Sequence, residues 1–86
     1  MANWHDMLSS EMESHAETRN DIIGSTLTDA EMLTEFQDNY GGIEGAPFTV
    51  WTRNRVYFPA CYDGCEWVAS VPRNPNEEKT HHIGGG

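Results

Sequence analysis

Apolar residues recur at helical spacing in the first half of the chain and at strand spacing in the second. Trp4, Leu8, Met12 and His15 share one helical face, while Asp6, Glu13 and Glu17 fall on the opposite face within roughly 40° of one another. Asn3 stands where an N-cap is wanted, and Asp6 lies in the first turn, at the positive end of the helix dipole. The pattern predicts an amphipathic helix from Trp4 to Thr18, broken by Arg19-Asn20-Asp21. A second helix is announced by the capping box Thr28-Asp29-Ala30-Glu31, with Leu27 and Met32 as its hydrophobic staple. Met32, Leu33, Phe36 and Tyr40 form its apolar stripe, and Glu31, Glu35 and Asp38 its acidic one. Gly41-Gly42 is the expected stop, because glycine takes the left-handed C′ position without steric cost. Ile22, Ile23 and Leu27, between the helices, are expected to fill the core.

The second half changes period. Phe48-Thr49-Val50-Trp51-Thr52 is rich in β-branched and aromatic residues and predicts a first strand. Arg53-Asn54 makes a turn, Arg55 to Tyr62 a second strand, Asp63-Gly64 a type I′ hairpin, and Cys65 to Val71 a third strand. A two-residue loop at Asp63-Gly64 pairs Tyr62 with Cys65, Ala60 with Trp67, Phe58 with Ala69 and Val56 with Val71. These eight residues are apolar or aromatic and share one face, so that face is expected to pack on the helices. The other face, with Tyr57, Pro59, Cys61, Glu66, Val68 and Ser70, is mixed. Pro59 lacks a ladder donor, which predicts a bulge or a short first strand there. The side taken by Trp51 depends on the register of the first turn. The predicted class is α+β, with two N-terminal amphipathic helices on a three-stranded antiparallel meander. Residues 1–72 form the expected domain, and 73–86 are read as a polar, loosely ordered tail rich in Pro and Gly.

Size sharpens this only a little. A chain of 86 residues with 37% hydrophobic content supports one modest core. No apolar run approaches the ~18 residues of a membrane span. The N-terminal stretch lacks the basic and apolar regions of a signal peptide, and there are two cysteines, so a reducing, cytoplasmic setting is expected.

Charge changes the picture more. The net charge is −9, and all of the excess lies in the helical half. Residues 1–46 hold ten acids and one base, Arg19, whereas the acids and bases of residues 47–86 cancel. Direct contact of the first half with nucleic-acid phosphates would be repulsive. The stripes Asp6, Glu13, Glu17 and Glu31, Glu35, Asp38 instead suit a basic surface, with carboxylates spaced about 4.5 to 11 Å along each axis. The same stripes are also what an ordinary solvated helix face looks like. The mixed sheet face with Tyr57 and Val68, and with Trp51 if the register of the first turn puts it there, forms beside Arg53 and Arg55 a second candidate contact patch, unless the tail covers it.

Catalytic and metal signals are thin. No Gly-x-Ser-x-Gly, phosphate loop or His-Glu-x-x-His is present. Cys61, Cys65, His81 and His82 are a tempting metal set, but adjacent histidines do not match zinc-ligand spacing. The predicted hairpin also puts Cys61 and Cys65 on opposite faces, which disfavours a shared ion or a disulfide. No metal, cofactor or catalytic residue is therefore assigned.

The run from Pro47-Phe48-Thr49-Val50-Trp51-Thr52 through Arg55-Val56-Tyr57-Phe58-Pro59, Tyr62-Asp63-Gly64 and Glu66-Trp67-Val68-Ala69-Ser70-Val71-Pro72-Arg73-Asn74-Pro75 resembles small proteins of bacteriophages and prophages of Gram-negative bacteria. The resemblance implies a context in which small acidic accessory proteins act on host machinery, as anti-CRISPR and anti-restriction proteins do, some of them as DNA mimics. It implies a host partner with a basic nucleic-acid-binding surface. The electrically neutral second half departs from an all-acidic mimic. Three expectations follow: a non-enzymatic inhibitor acting through its acidic helices, an interaction or oligomerisation module acting through an aromatic sheet face, and a small metal- or thiol-dependent enzyme.

Overall fold

In the computed structural model, which describes residues 2–37 and 43–84, the first helix, α1, spans Trp4–Ser14. Asn3 caps it as expected, its side-chain oxygen accepting the Asp6 amide at 2.8 Å. The helix stops short of Thr18 because Ala16 adopts φ 58. The amide of Glu17 then donates to the Met12 carbonyl at 2.8 Å, and that of Ala16 to the Glu13 carbonyl at 3.1 Å. This is a Schellman motif with alanine at the position that favours glycine. Left-handed backbone costs a non-glycine residue roughly 1–2 kcal/mol, partly offset by the smaller unfolded-state entropy of alanine. Ala16→Gly should therefore raise the unfolding free energy by about 0.5–1 kcal/mol, read as a higher denaturant midpoint at unchanged slope.

A 3₁₀ turn at Arg19–Asp21 leads into strand β1, Ile22–Ser25. Helix α2 is a single turn, Asp29–Met32. The capping box forms on both sides: Thr28 Oγ1 accepts the Glu31 amide at 3.1 Å, and Glu31 Oε1 accepts the Thr28 amide at 2.8 Å. The predicted continuation of this helix does not form. Phe36 instead exchanges two backbone hydrogen bonds with Ala2, at 2.8 and 2.9 Å, and its ring sits 4.7 Å from that of Trp4. Leu33, expected in the stripe, is exposed. Asp38, Tyr40 and the predicted Gly41-Gly42 stop lie outside the described residues.

Strands β2, Val50–Thr52, β3, Arg55–Tyr62, and β4, Cys65–Pro72, complete an antiparallel sheet in the order β1-β2-β3-β4. The sheet thus has four strands rather than three. Ile22-Ile23-Gly24-Ser25 pairs with β2 across an irregularity between Ile22 and Gly24. Ile22 packs against the core, but Ile23 points out and is 65% exposed, contrary to its expected core role.

The β3–β4 register is the predicted one at every position, from Tyr62 opposite Cys65 to Val56 opposite Val71. Asp63 and Gly64 both have positive φ, as a type I′ turn requires. Of the two expectations at Pro59, the short first strand holds and the bulge does not, since β2 ends before reaching it and Pro59 sits squarely opposite Val68. Hydrogen-bonded pairs alternate from the turn, which puts Pro59 in a non-hydrogen-bonded pair. Its nitrogen faces the side on which β2 has already ended, because β2 pairs only with Val56 and Tyr57.

The covered face is the opposite of the one predicted. Trp4, Leu8, Met12 and Met32 pack with Phe48, Val50, Tyr57 and Val68. Both helices therefore lie on the mixed face, and the uniformly apolar face of β3 and β4 looks outward. The mixed face tolerates burial because each polar residue on it finds a partner. Glu66, buried beneath the connector, accepts the amides of Glu44 and Gly45 at 2.9 and 3.0 Å. The Trp4 indole donates to the Ala46 carbonyl at 2.9 Å, which holds the same connector against α1.

Candidate interaction surfaces and the buried polar network

Two polar clusters join α1 and its C-terminal turn to the sheet. In the first, Glu17 is 8% exposed, and its carboxylate accepts the Thr52 hydroxyl at 3.0 Å and the Tyr57 hydroxyl at 2.5 Å. Thr52 Oγ1 also accepts the Arg55 amide at 2.9 Å, which ties the cluster to the β2–β3 turn. Burial, and then the hydrogen bond to Glu17, pushes the Tyr57 phenol above its ordinary range.

In the second cluster, Arg55 donates from Nε to Ser70 Oγ at 2.9 Å. Ser70 donates to Glu11 Oε2 at 2.9 Å, and His15 Nε2 lies 3.1 Å from the same oxygen. Arg55 Nη1 and Nη2 face Glu78 Oε1 and Oε2 at 2.8 and 3.0 Å. That hydrogen-bonded pair raises the Arg55 pKa and lowers that of Glu78. Residues 73–84 carry neither helix nor strand. They are nonetheless attached: the Arg73 amide donates to the Asn54 carbonyl at 2.8 Å, and Arg73 Nη1 donates to the Thr52 carbonyl at 3.1 Å.

These clusters redistribute the residues expected to meet a partner. Asp6 is exposed and shares its carboxylate with Asn3 and His5, each at 3.3 Å. Glu13 and Glu35 are exposed. Glu31 is exposed too, but one of its oxygens is committed to the Thr28 cap. Glu17 is withdrawn from the surface, which corrects its place in the acidic stripe. Past Ser14 the chain no longer follows the helical wheel, and the left-handed turn at Ala16 swings Glu17 under the sheet. Tyr57, expected in a contact patch, is fully buried and serves Glu17 instead. Trp51 lies opposite Val56 and so belongs to the outward face. A Cβ on Gly24 would come within 3.3 Å of the Trp51 ring, so glycine there leaves room for the ring beside β1.

The outward face holds Trp51, Val56, Phe58, Ala60, Tyr62, Trp67, Ala69 and Val71. Tyr62 is 54% exposed and Trp67 37%, while Trp51, Val56, Phe58 and Val71 are half-buried. Among the described residues no helix lies on it. Periodicity marks this patch as apolar and predicts it for the core, whereas the helices cover the opposite face.

Cys61 is half-buried, Cys65 is exposed, and neither is in a disulfide. They stand opposite Glu66 and Tyr62, on opposite faces as the hairpin predicted. Among the described residues no group of three or more His, Cys, Asp or Glu side chains is placed to hold a metal ion. Likewise, no described helix is long and apolar enough to cross a membrane. Comparison with family models, curated proteins and solved structures found no match.

Proposed function

We propose that the chain is a binding protein without a catalytic role, which seats a partner protein on the outward face of its sheet. The observation that carries this reading is the uniformly apolar outward face of β3 and β4, with Tyr62 and Trp67 open to solvent. A half-solvated antiparallel sheet normally alternates apolar-in with polar-out, and here the more apolar side is out. Aromatic residues on such a face are favoured anchors.

The charge of the other elements gives the partner a sign. Asp6, Glu13, Asp21, Asp29, Glu31, Glu35 and Glu44 are exposed, and the one base among residues 2–37, Arg19, is paired with Asp29 at 3.0 Å. A partner with a basic, nucleic-acid-binding surface is complementary to this arrangement. If residues 47–75 are those of a phage protein, as their resemblance implies, that partner belongs to a bacterial host and binding would inhibit it. In the alternative reading, the acids on the free side of α1, Asp6 and Glu13, carry the contact by themselves.

Tagged wild type and Trp67→Ala, confirmed as folded by circular dichroism, separate the two readings in bacterial lysate at low and at about 0.5 M salt. A partner that Trp67→Ala loses by tenfold or more, and that wild type keeps at high salt, supports the sheet face. A partner that ignores Trp67→Ala but is released by salt sinks that reading and favours the acidic helix.

A further inference from the structure

Arg55 is the buried half of an ion pair whose other half is delivered by the C-terminal segment. Its side chain is 9% exposed, whereas that of Glu78 is 37% exposed. The guanidinium plane is set from within the fold, through Ser70 on β4 and then Glu11 on α1. Both Nη atoms are left facing outward, in the fork geometry that matches a carboxylate. The receptor is therefore rigid, and its occupant sits on a stretch with neither helix nor strand. A groove of about 250 Å³ runs on from this pair. It is lined by Glu11 and His15 on one side, by Trp67, Ala69 and Ser70 of the edge strand β4, and by residues 78–81 and Ile83 of the tail.

We propose that Arg55, oriented by Ser70, is a binding site for a carboxylate of an acidic peptide segment, and that residues 78–83 are its built-in pseudo-ligand. The carboxylate engages the fork of Arg55, and an aliphatic residue five positions on lies along Trp67 and Ala69, as Ile83 follows Glu78 here. The apolar wall selects a peptide over a free anion. A buried guanidinium left without an anion is costly, so the site is filled from inside or from outside. Tethering gives the tail an effective concentration on the order of millimolar, and an outside segment must beat it. The groove shares Trp67 and Ala69 with the outward sheet face, whereas the Arg55 fork and Ser70 belong to the opposite face, so the carboxylate site does not depend on that reading.

The test uses the full chain, as wild type and as Glu78→Ala, with Arg55 left intact. The probe is a fluorescently labelled peptide of residues 74–84, read by anisotropy, alongside the same peptide with Gln in place of Glu78. The Glu peptide should bind the Glu78→Ala chain at least ~10-fold more tightly than it binds wild type. The Gln peptide should bind that chain at least ~10-fold more weakly than the Glu peptide does. Should Glu78→Ala prove unfolded by circular dichroism, Glu78→Gln gives the same comparison with side-chain volume kept. Equal binding of the two peptides, or no gain in the variant over wild type, overturns the proposal. Competition by millimolar acetate as effective as that of unlabelled peptide would reduce the site to a simple anion hole and overturn the peptide part.

Discussion

Replacing Gly45 with alanine should cost about 3 kcal/mol, at the upper end of what overpacking a core usually costs. A Cβ at Gly45 would lie 2.4 and 2.8 Å from two ring atoms of Trp4 and 3.0 Å from the Phe36 ring. None of these is the end of a flexible side chain. Trp4 is 2% exposed, lies 5.0 Å from the Phe48 ring, and has its indole N–H tied to the Ala46 carbonyl. Moving the ring breaks that bond and disturbs the packing of α1. Moving the connector pulls the Gly45 amide away from Glu66, which would leave a buried carboxylate short of a donor. Chemical denaturation of Gly45→Ala and Gly24→Ala makes the comparison, since Gly24 faces only one contact, at 3.3 Å. The Gly45 variant should lose several times more stability. Adding Trp4→Phe to Gly45→Ala should cost less than the two changes sum to, because the smaller ring vacates the clash. Strict additivity, or a loss under 1 kcal/mol, would show that the connector gives way freely.

What the sequence shows of this fold depends on how local each signal is. Asp63-Gly64 sets a two-residue turn, and the turn fixes eight cross-strand pairs without outside help. The Thr28–Glu31 capping box is equally self-contained. The length of α2 is not, because Phe36 is claimed by Ala2, far away in sequence. Strand β1 is four residues long and meets β2 only across the intervening connector, so nothing in Ile22-Ile23-Gly24-Ser25 alone marks it as a strand. Face choice failed for a different reason. Hydropathy weighs each residue as though unpartnered, and the mixed face of β3 and β4 is buried with its partners attached. Tyr57, Ser70 and Arg55 each meet an acid or hydroxyl from another element.

The candidate surfaces follow the same rule. Asp6 and Glu13 are exposed on the side of α1 that the helical wheel names, because both lie within the actual helix. Glu17 departs from the wheel because it follows the left-handed Ala16, past the end of the helix. The pairing of Arg55 with Glu78 spans 23 residues and joins a strand to an irregular segment. No periodicity carries that information. The apolar outward face was visible as a pattern, and only the tertiary structure could say that the helices took the other side.

The buried Glu17 should prove to be the most consequential acid in the chain. Glu17→Ala removes the acceptor for two buried hydroxyls, Thr52 and Tyr57, both 0% exposed. Each orphaned hydroxyl costs about 1–3 kcal/mol, so a total loss of about 3 kcal/mol is expected at neutral pH. A surface control, Glu13→Ala, should change stability by no more than about 0.5 kcal/mol. The same cluster predicts an alkaline limb. The folded state holds the Tyr57 proton more tightly than the unfolded chain does, so this contribution is intact below about pH 10, the unfolded tyrosine value. Above that pH the unfolded state sheds the proton first, and stability falls by up to about 1.4 kcal/mol per pH unit until the folded phenol also ionises. Urea unfolding at intervals from pH 9 upward, with Tyr57→Phe alongside, isolates that slope. The phenylalanine variant should start less stable and show a shallower alkaline decline. Identical declines in the two proteins would mean that Tyr57 does not control the alkaline limb, and that the protected phenol is not what couples Glu17 to the sheet.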